Sequence, residues 1–468
     1  MPVPVGNAEV RKQSDAVSHM AEDWELIRSL LGGTKAMRRA AKRFLPKWPA
    51  EDEASYQARL ETATLFPAYS RTVSVLTGKP FSKPLTIGED VPKRFAPWLE
   101  DVDLQGRNLH AFAADLCSEA LGYGFCGILV DYPPAEGVKT VADENKAGVR
   151  PYFVHLSHDQ ILGWRTEKVK GGLKLTQLRI LEIVEEPDGL FGTKKIEQVR
   201  ALEPGTWQLY RKSIAEGGIE SWVLHQEGTT TLDVIPFVPI YGKRKDFMIG
   251  VAPMLELAHA NVEHWQSKSD QQTILHVARV PVMFAKDIGE APIAVGAGAF
   301  IKASSKDADL KYVEHTGAAI EAGRKSLLDL EDRMRQTGAE LLVIKPGNTT
   351  EVQTLADNEQ GMCDLQRIAQ TLEDALDMAL SLMGEWVGEP STGHVTIYSD
   401  FGAATLAEAS AQLLFEMKVD GSLSLPTLLK EMQRRGILSP DVDVDKEVKD
   451  ALVELAAREP QRKENDNI

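Results

Sequence analysis

The segment that begins at Pro253 constrains this chain more than any other. Proline suits the first turn of a helix, where its missing N–H would be unpaired anyway, and the helix that follows can run from Met254 to about Arg279. At ~1.5 Å per residue such a rod is about 39 Å long, which is long for a globular protein. Its ends are apolar, with Leu255, Leu257 and Val262 at one and Ile274, Leu275 and Val277 at the other, but its middle, EHWQSKSDQQT, is polar almost all the way round. Such a surface does not belong in the dry core of one subunit, because every polar group buried there needs a partner. The expectation is that this middle faces water, a wet interface between subunits, or both.

Downstream, PVMFAK, AVGAGAF and LKYVEHTG have β and glycine character. Helix returns in EAGRKSLLDLEDRMRQTG, where Glu321 with Lys325, Asp329 with Arg333 and Glu331 with Arg335 stand at i,i+4 and favour a solvated helix. AELLVIKPGNTTEVQTL holds β-branched residues and a Pro-Gly break, so it leaves the helix as an extended loop around Lys345 to Gln353. From Asp357 to about Trp386 another long helix carries an apolar stripe of Leu365, Ile368, Leu372, Leu376, Leu380 and Met383. A short strand (HVTIYSDF), two helices (TLAEASAQLLFEMKVDG and LPTLLKEMQRRG), an acidic stretch and a charged, frayed end complete the chain.

Upstream, the first hundred residues read as short helices broken by Gly32, Gly33, Pro46 and Pro49. NLHAFAADLCSEALGYG repeats its apolar residues at helical spacing and stops at Gly122 and Gly124, and FCGILVDY then reads as a buried strand. After a polar loop at 133–150, the runs PYFVHLS, ILGWRTEKV, LKLTQLRILEIVEE, KKIEQVRALE, TWQLYRK, SWVLHQ and DVIPFVPIY predict an antiparallel meander of six or seven strands. Its turns are marked by Gly171-Gly172 and Pro187-Asp188-Gly189.

Composition narrows the function classes. The 468 residues carry 69 acidic against 53 basic side chains, a net charge of −16, so the surface repels phosphate backbones and a repressor, nuclease or other DNA-binding regulator is disfavoured. No apolar run is long enough for a membrane span and MPVPVGNAEVRKQSD lacks the features of a signal peptide, so a cytoplasmic origin is expected. Cys117, Cys126 and Cys363 are too few and scattered for a disulfide framework or a zinc site and read as buried, reduced thiols.

Catalytic motifs are missing: there is no HExxH, GxSxG, CxxC or Walker A loop. GAAIEAGRKS at 317–326 only approximates a phosphate loop, its glycines being one residue too far apart. His259, His264 and His276 fall on different faces of their helix and read as interface or solvent histidines. Asp441, Asp443 and Asp445 alternate like calcium ligands but lack the loop glycine and glutamate, so they read as a solvated acidic turn. His155 and His158, with Asp159 nearby, read as structural. No enzyme activity, metal or cofactor is expected.

Several runs resemble, in order, the portal proteins of tailed double-stranded DNA bacteriophages. They include FLPKWPAEDEASYQARL, SRTVSVLTGKPFSKP, SEALGYGFCGILVDYP, RPYFVHLSHDQILGWR, YVEHTGAAIEAGRKSLLDLEDRMRQTGAELL and DGSLSLPTLLKEMQRRGIL, so the resemblance covers nearly the whole chain. It implies an α+β portal fold: a wing at 1–252, a first stem helix at 253–279, a clip at 280–320 and a second stem helix at 321–338. A tunnel-loop region at 339–356, a long wing helix and strand at 357–420, and a small crown at 421–468 would follow. By the same resemblance Lys345, Asn348, Thr349 and Thr350 stand near DNA in the tunnel loop, Lys268, Arg324, Lys325, Arg333 and Arg335 are candidates for the stem channel, and Lys302, Lys306 and Lys311 are candidates for docking partners on the clip.

The function so implied is a head-to-tail connector at the capsid vertex, a ring of twelve subunits through which double-stranded DNA passes without sequence readout during packaging and ejection. Its implied partners are the terminase large subunit, a head-tail adaptor, and the major capsid and scaffolding proteins, with no membrane. It would reside in the virion, after assembly in the host cytoplasm. The competing readings are another ring or adaptor protein of the head-tail junction and a cytoplasmic enzyme with an unrecognised site.

Overall fold

The computed structural model describes residues 9–133, 149–214, 220–279, 282–286, 307–313, 317–342, 363–390 and 392–399, and, toward the C-terminus, 415, 417–421, 423–434, 438 and 442–449. Helix and antiparallel sheet are mixed throughout, an α+β arrangement.

Several of the N-terminal helices begin where a short polar side chain can hold the first free N–H groups. Ser14 caps α1 (Asp15–Leu31), which Gly32 separates from α2 (Gly33–Ala40), and Asp52 caps α3 (Glu53–Thr62) by accepting from the Ser55 N–H at 2.9 Å. Then come α4 (Ala68–Gly78), the short strand β1 (Thr86–Ile87) and the single turn α5 (Ala96–Leu99). Asn108 caps α6 (Leu109–Tyr123), which ends at Gly124 with a φ of +85°. A Cβ at Gly124 would lie 2.1 Å from the Val251 carbonyl carbon, so both the backbone angle and the space require glycine. Gly122, expected as a helix stop, is instead buried in the last turn, where its carbonyl accepts the Tyr69 hydroxyl at 2.6 Å.

The expected meander divides into two sheets. Strands β4 (Ile161–Val169), β5 (Gly172–Asp188), β6 (Gly192–Glu203), β7 (Thr206–Ile214) and β8 (Glu220–Thr229) pair in chain order. The first and last runs assigned to it, β3 (Tyr152–Leu156) and β9 (Phe237–Tyr241), leave to pair antiparallel with the two edges of β2 (Phe125–Asp131). The physical reason lies in FCGILVD, six of whose seven residues are buried. A strand covered on both faces must also have its backbone paired on both edges. A two-stranded ribbon, β10 (Lys243–Asp246) with β11 (Ile249–Val251), leads to the long helix.

That helix is α7 (Leu255–Ala278), within a residue or two of expectation. Beyond it β12 (Val282–Lys286) pairs with β13 (Asp309–Val313), and α8 (Ala318–Ala339) returns, beginning three residues earlier than the sequence suggested. Helix α9 (Asp364–Val387) buries the whole predicted stripe, Leu365 to Met383. Strand β14 (Val395–Thr396) pairs with β1, and α10 (Leu425–Arg434) is the penultimate described helix. Asp443, read as part of a solvated acidic turn, caps the short helix at 444–449 by accepting from the Asp445 and Lys446 N–H groups. Asp441 lies outside the described residues. All three cysteines are free and buried.

The expectation for the middle of α7 holds on one face only: Glu263 is exposed and Gln266, Ser267, Lys268, Asp270, Gln272 and Thr273 are half-buried, while the other face turns inward. Asn261, His264, Trp265, Ser269 and Gln271 are all buried within this one subunit. Some of their polar atoms are answered by the same chain, whereas His264 Nδ1, Trp265 Nε1 and Ser269 Oγ are buried with no hydrogen-bond partner among the described residues. Asn261 Nδ2 donates to the Phe66 carbonyl at 2.8 Å while its Oδ1 accepts the Tyr69 N–H at 3.0 Å, closing the start of α4, which has no side-chain cap of its own. The half-buried Gln266 donates to the Phe44 carbonyl at 3.1 Å, and Gln271 donates to the Ile320 carbonyl at 2.8 Å. His264, expected at an interface or in solvent, is 1% exposed and sits 3.2 Å from Glu331. Burial pushes its imidazole below the ordinary value against the pull of Glu331, so it is neutral at pH 7. His259 and His276 do face solvent.

Replacing Asn261 by alanine strands the Tyr69 N–H and the Phe66 carbonyl in the core, a loss of about 3 kcal/mol. Urea titration of Asn261→Ala against the parent protein measures it; a change below ~0.5 kcal/mol would contradict the capping role.

Candidate functional site

Helices α7 and α8 form an antiparallel pair that carries five of the candidate residues singled out in the sequence, Lys268, Arg324, Lys325, Arg333 and Arg335. The register is read from contacts along its length. A Cβ on Gly338, near the end of α8, would lie 3.7 Å from Leu257 near the start of α7, and Glu331 meets His264 in mid-length. At the far end the Gln271 amide lies where a Cβ on Gly323 would sit, 2.0 Å away, so glycine in the second turn of α8 is what admits that side chain. Gly323 and Lys325 therefore lie within a helix, and the approximate phosphate-loop motif has no loop to form there.

The two helices differ in what they show to water. Helix α7 is gripped by α1, α3 and α4, whereas α8 buries only Leu330, Met334 and Gly338 of its 22 residues. Its polar surface is charge-balanced, with four cations (Arg324, Lys325, Arg333, Arg335) against four carboxylates (Glu321, Asp329, Glu331, Asp332). The expected i,i+4 ladder forms only in part. Arg335 does pair with Glu331 at 3.4 Å, and with Asp332. Glu321 is instead held by Arg324 one position nearer, at 3.0 Å, and Arg333 reaches across to Glu263 on α7 at 2.7 Å. A guanidinium on a mobile stem goes to whichever carboxylate gives the better fork, and a neighbouring helix offers one that linear spacing does not show.

Of the other residues singled out, Lys325 is exposed and Lys268 half-buried on α7. Lys311, exposed on β13, sits 3.4 Å from Asp309 and 5.5 Å above the Phe284 ring. Lys302, Lys306, Lys345, Asn348, Thr349 and Thr350 lie outside the described residues. The structure thus brings Arg324, Lys325, Arg333 and Arg335 onto one helix, with Lys268 on its partner, and sets Lys311 on the β12–β13 hairpin joined to that pair.

A second polar cluster lies between α6 and the β3–β4 connection. Glu119, which sequence reasoning passed over, has His155 Nε2 2.7 Å from one carboxylate oxygen as an ion-pair contact and is hydrogen-bonded with His158 Nδ1 through the other, also at 2.7 Å. His158 is stacked on Tyr123 at 3.6 Å and met edge-on by Trp24 at 4.8 Å. Asp159 takes no part; it pairs with Arg28 at 3.1 Å. The cluster ties a helix to a sheet, in keeping with the structural reading of these histidines. Burial pushes the Glu119 carboxyl up, but the two histidines that face it overcome this and hold it at about 2.

Residues 253–387, from the start of α7 to the end of α9, match the model of a family described as a domain of unknown function, DUF4055. No functionally curated protein matches the chain. Among solved structures it is similar to a chain in the virion of a native gene transfer agent particle, at 15% identity and a TM-score of 0.41, covering 83% of this chain and 95% of that one. A chain in the neck of the empty particle computed with C6 symmetry is similar at 14% identity and a TM-score of 0.41, covering 79% and 90%. One in the native neck computed with C12 symmetry is similar at 14% identity and a TM-score of 0.40, covering 85% and 98%. Among the described residues no helix is long and apolar enough to cross a membrane.

The Glu119 couple has a pH signature. Its folded value lies below the ordinary 4.5, so its stabilisation is present above pH 4.5 and is lost as pH falls toward 2. The difference corresponds to about 3 kcal/mol. In Glu119→Gln the fall in stability between pH 5 and 2 should be shallower than in the parent protein, measured by denaturant midpoints across that range; parallel curves would remove Glu119 as the acid-sensitive group.

Proposed function

We propose that this chain is a portal subunit: copies of it form a closed ring at a capsid vertex, the ring encloses an aqueous channel for double-stranded DNA, and its outer end docks the packaging and head-completion proteins. The observation that carries the reading is the antiparallel pair α7 and α8 bracketing a two-stranded hairpin and followed by α9, the order that the resemblance across the sequence implies. In this reading α7 and α8 are the stem, the β12–β13 hairpin belongs to the clip, with Lys311 toward its docking partners, and α9 is the long wing helix.

The polar middle of α7 supports this reading only on its outer face, since the inner face is used within the subunit. The main support is α8, a 22-residue helix of which most residues are in water. A rod that solvated gains stability where neighbouring copies stand against it. Its charge balance also suits a conduit. Every guanidinium on α8 already has a carboxylate partner, so a polyanion moving past meets weak, interchangeable contacts in a chain of net charge −16. No catalytic step is part of this reading, and the chain would reside in the virion.

Electron microscopy of the purified protein, with light scattering over a concentration series, tests the proposal. The expected images are rings of turbine profile with a central hole, of about twelve copies. A compact monomer at every concentration would overturn it.

A further inference from the structure

The most exposed large apolar side chains among the described residues lie at the tip of one hairpin. Strand β5 pairs with β4 only as far as Ile180, and β6 with β7 only from Gln198, but β5 and β6 stay paired to the Asp188 and Gly192 couple. The stretches Ile183–Asp188 and Gly192–Glu197 therefore leave the sheet as a two-stranded finger, about 20 Å long at ~3.3 Å per residue. It is braced by Glu185 with Lys195 at 3.5 Å, and by Arg211 of β7, which reaches Glu186 in the outer half of the finger at 2.8 Å. At its end Leu190 is 92% and Phe191 100% exposed.

The same chain carries a socket of matching chemistry. Met20, Trp24 and Ile27 of α1, with Tyr123 and Val251, line an open, mainly apolar cavity of about 210 Å³. An apolar cavity of about 150 Å³ already accepts a benzene ring. The finger cannot fill its own socket, because the two lie on different flanks of α1. Residues Ala21, Glu25 and Arg28 look toward Leu181 and Ile183 at the finger's base, whereas Ala16, Met20, Asp23 and Ile27 look into the socket, about a third of a helical turn away, with Trp24 between them lining both.

We infer that the β5–β6 finger is a plug, and that Phe191 of one copy seats in the socket between α1 and β11 of the next. Plug and socket are different surfaces of one chain, so the contact is head-to-tail, and head-to-tail contacts close into a ring when the rotation per copy permits. The inference rests on the ring reading for closure, but not for the contact itself.

Disulfide trapping tests it. Differently tagged Phe191→Cys and Ala16→Cys proteins are mixed under assembly conditions and oxidised; the native cysteines are buried and do not compete. The expected result is a mixed dimer on a non-reducing gel. Phe191→Ser and the socket-filling Ala16→Trp should each weaken self-association about tenfold or more, as loss of an aromatic anchor does. Phe191 touches nothing within its own subunit to the extent of being fully exposed, so thermal melting of the unassembled Phe191→Ser protein should match the parent. Rings that form equally well in both variants, with no cross-link, would overturn the plug while leaving the ring. Cross-linked open chains without rings would keep the plug and overturn closure. Neither cross-link nor assembly would overturn both.

Discussion

The register of α7 is set by the polar groups of its middle that find partners inside the subunit. Asn261 closes the start of α4, Gln266 and Gln271 reach backbone carbonyls of the segment before α3 and of α8, and His264 meets Glu331. Arg59, buried with Glu51 and stacked 4.3 Å from the Trp48 ring, reaches toward Asp270 at 3.8 Å. Each such bond adds only about 1 kcal/mol net, but leaving any of these groups unmet in the core costs more, so the arrangement holds α7 in one register against its neighbours. A purely apolar helix could slide or rotate without such a penalty.

Once α7 is fixed, the rest of the central region has few options. Helix α8 lies along it from Gly323, against Gln271, through Glu331, against His264, to Gly338, beside Leu257 and Thr72 of α4, and leaves most of its residues in water. The hairpin between the helices is carried away from the main core, which lies among α1 to α6, β2 and α9. The subunit thus has a rooted part, which carries the socket beside α1, and projecting parts: α8, the β12–β13 hairpin and the apolar finger of β5 and β6.

Much of this was legible in the sequence. The bounds of α7, the return of helix at α8, the apolar stripe of α9 and the glycine turns between strands follow from periodicity and turn chemistry, which are local. What was hidden is non-local. Nothing in EHWQSKSDQQT shows that Asn261 meets residues 66 and 69 or that His264 meets Glu331, so its polarity was read as exposure when part of it was pairing. Strands β3 and β9 looked like members of the meander because their sequences resemble its strands; only the need of β2 for two partners removes them. Glu119 was one carboxylate on an amphipathic helix until the fold set two histidines against it. Leu190 and Phe191 were legible in one respect, two large apolar residues inside a turn between Gly189 and Gly192, where solvent exposure is the normal outcome.

The division between a rooted α7 and a solvated α8 is the central claim, and cysteine accessibility measures it most directly. Ser269 in the middle of α7 is 2% exposed, whereas Ser326 on α8 is exposed. In the folded, unassembled protein Ser326→Cys should react with a maleimide at the rate of a free thiol, and Ser269→Cys should react only after denaturant is added. Equal labelling rates at the two positions would mean that the middle of α7 lies in water after all.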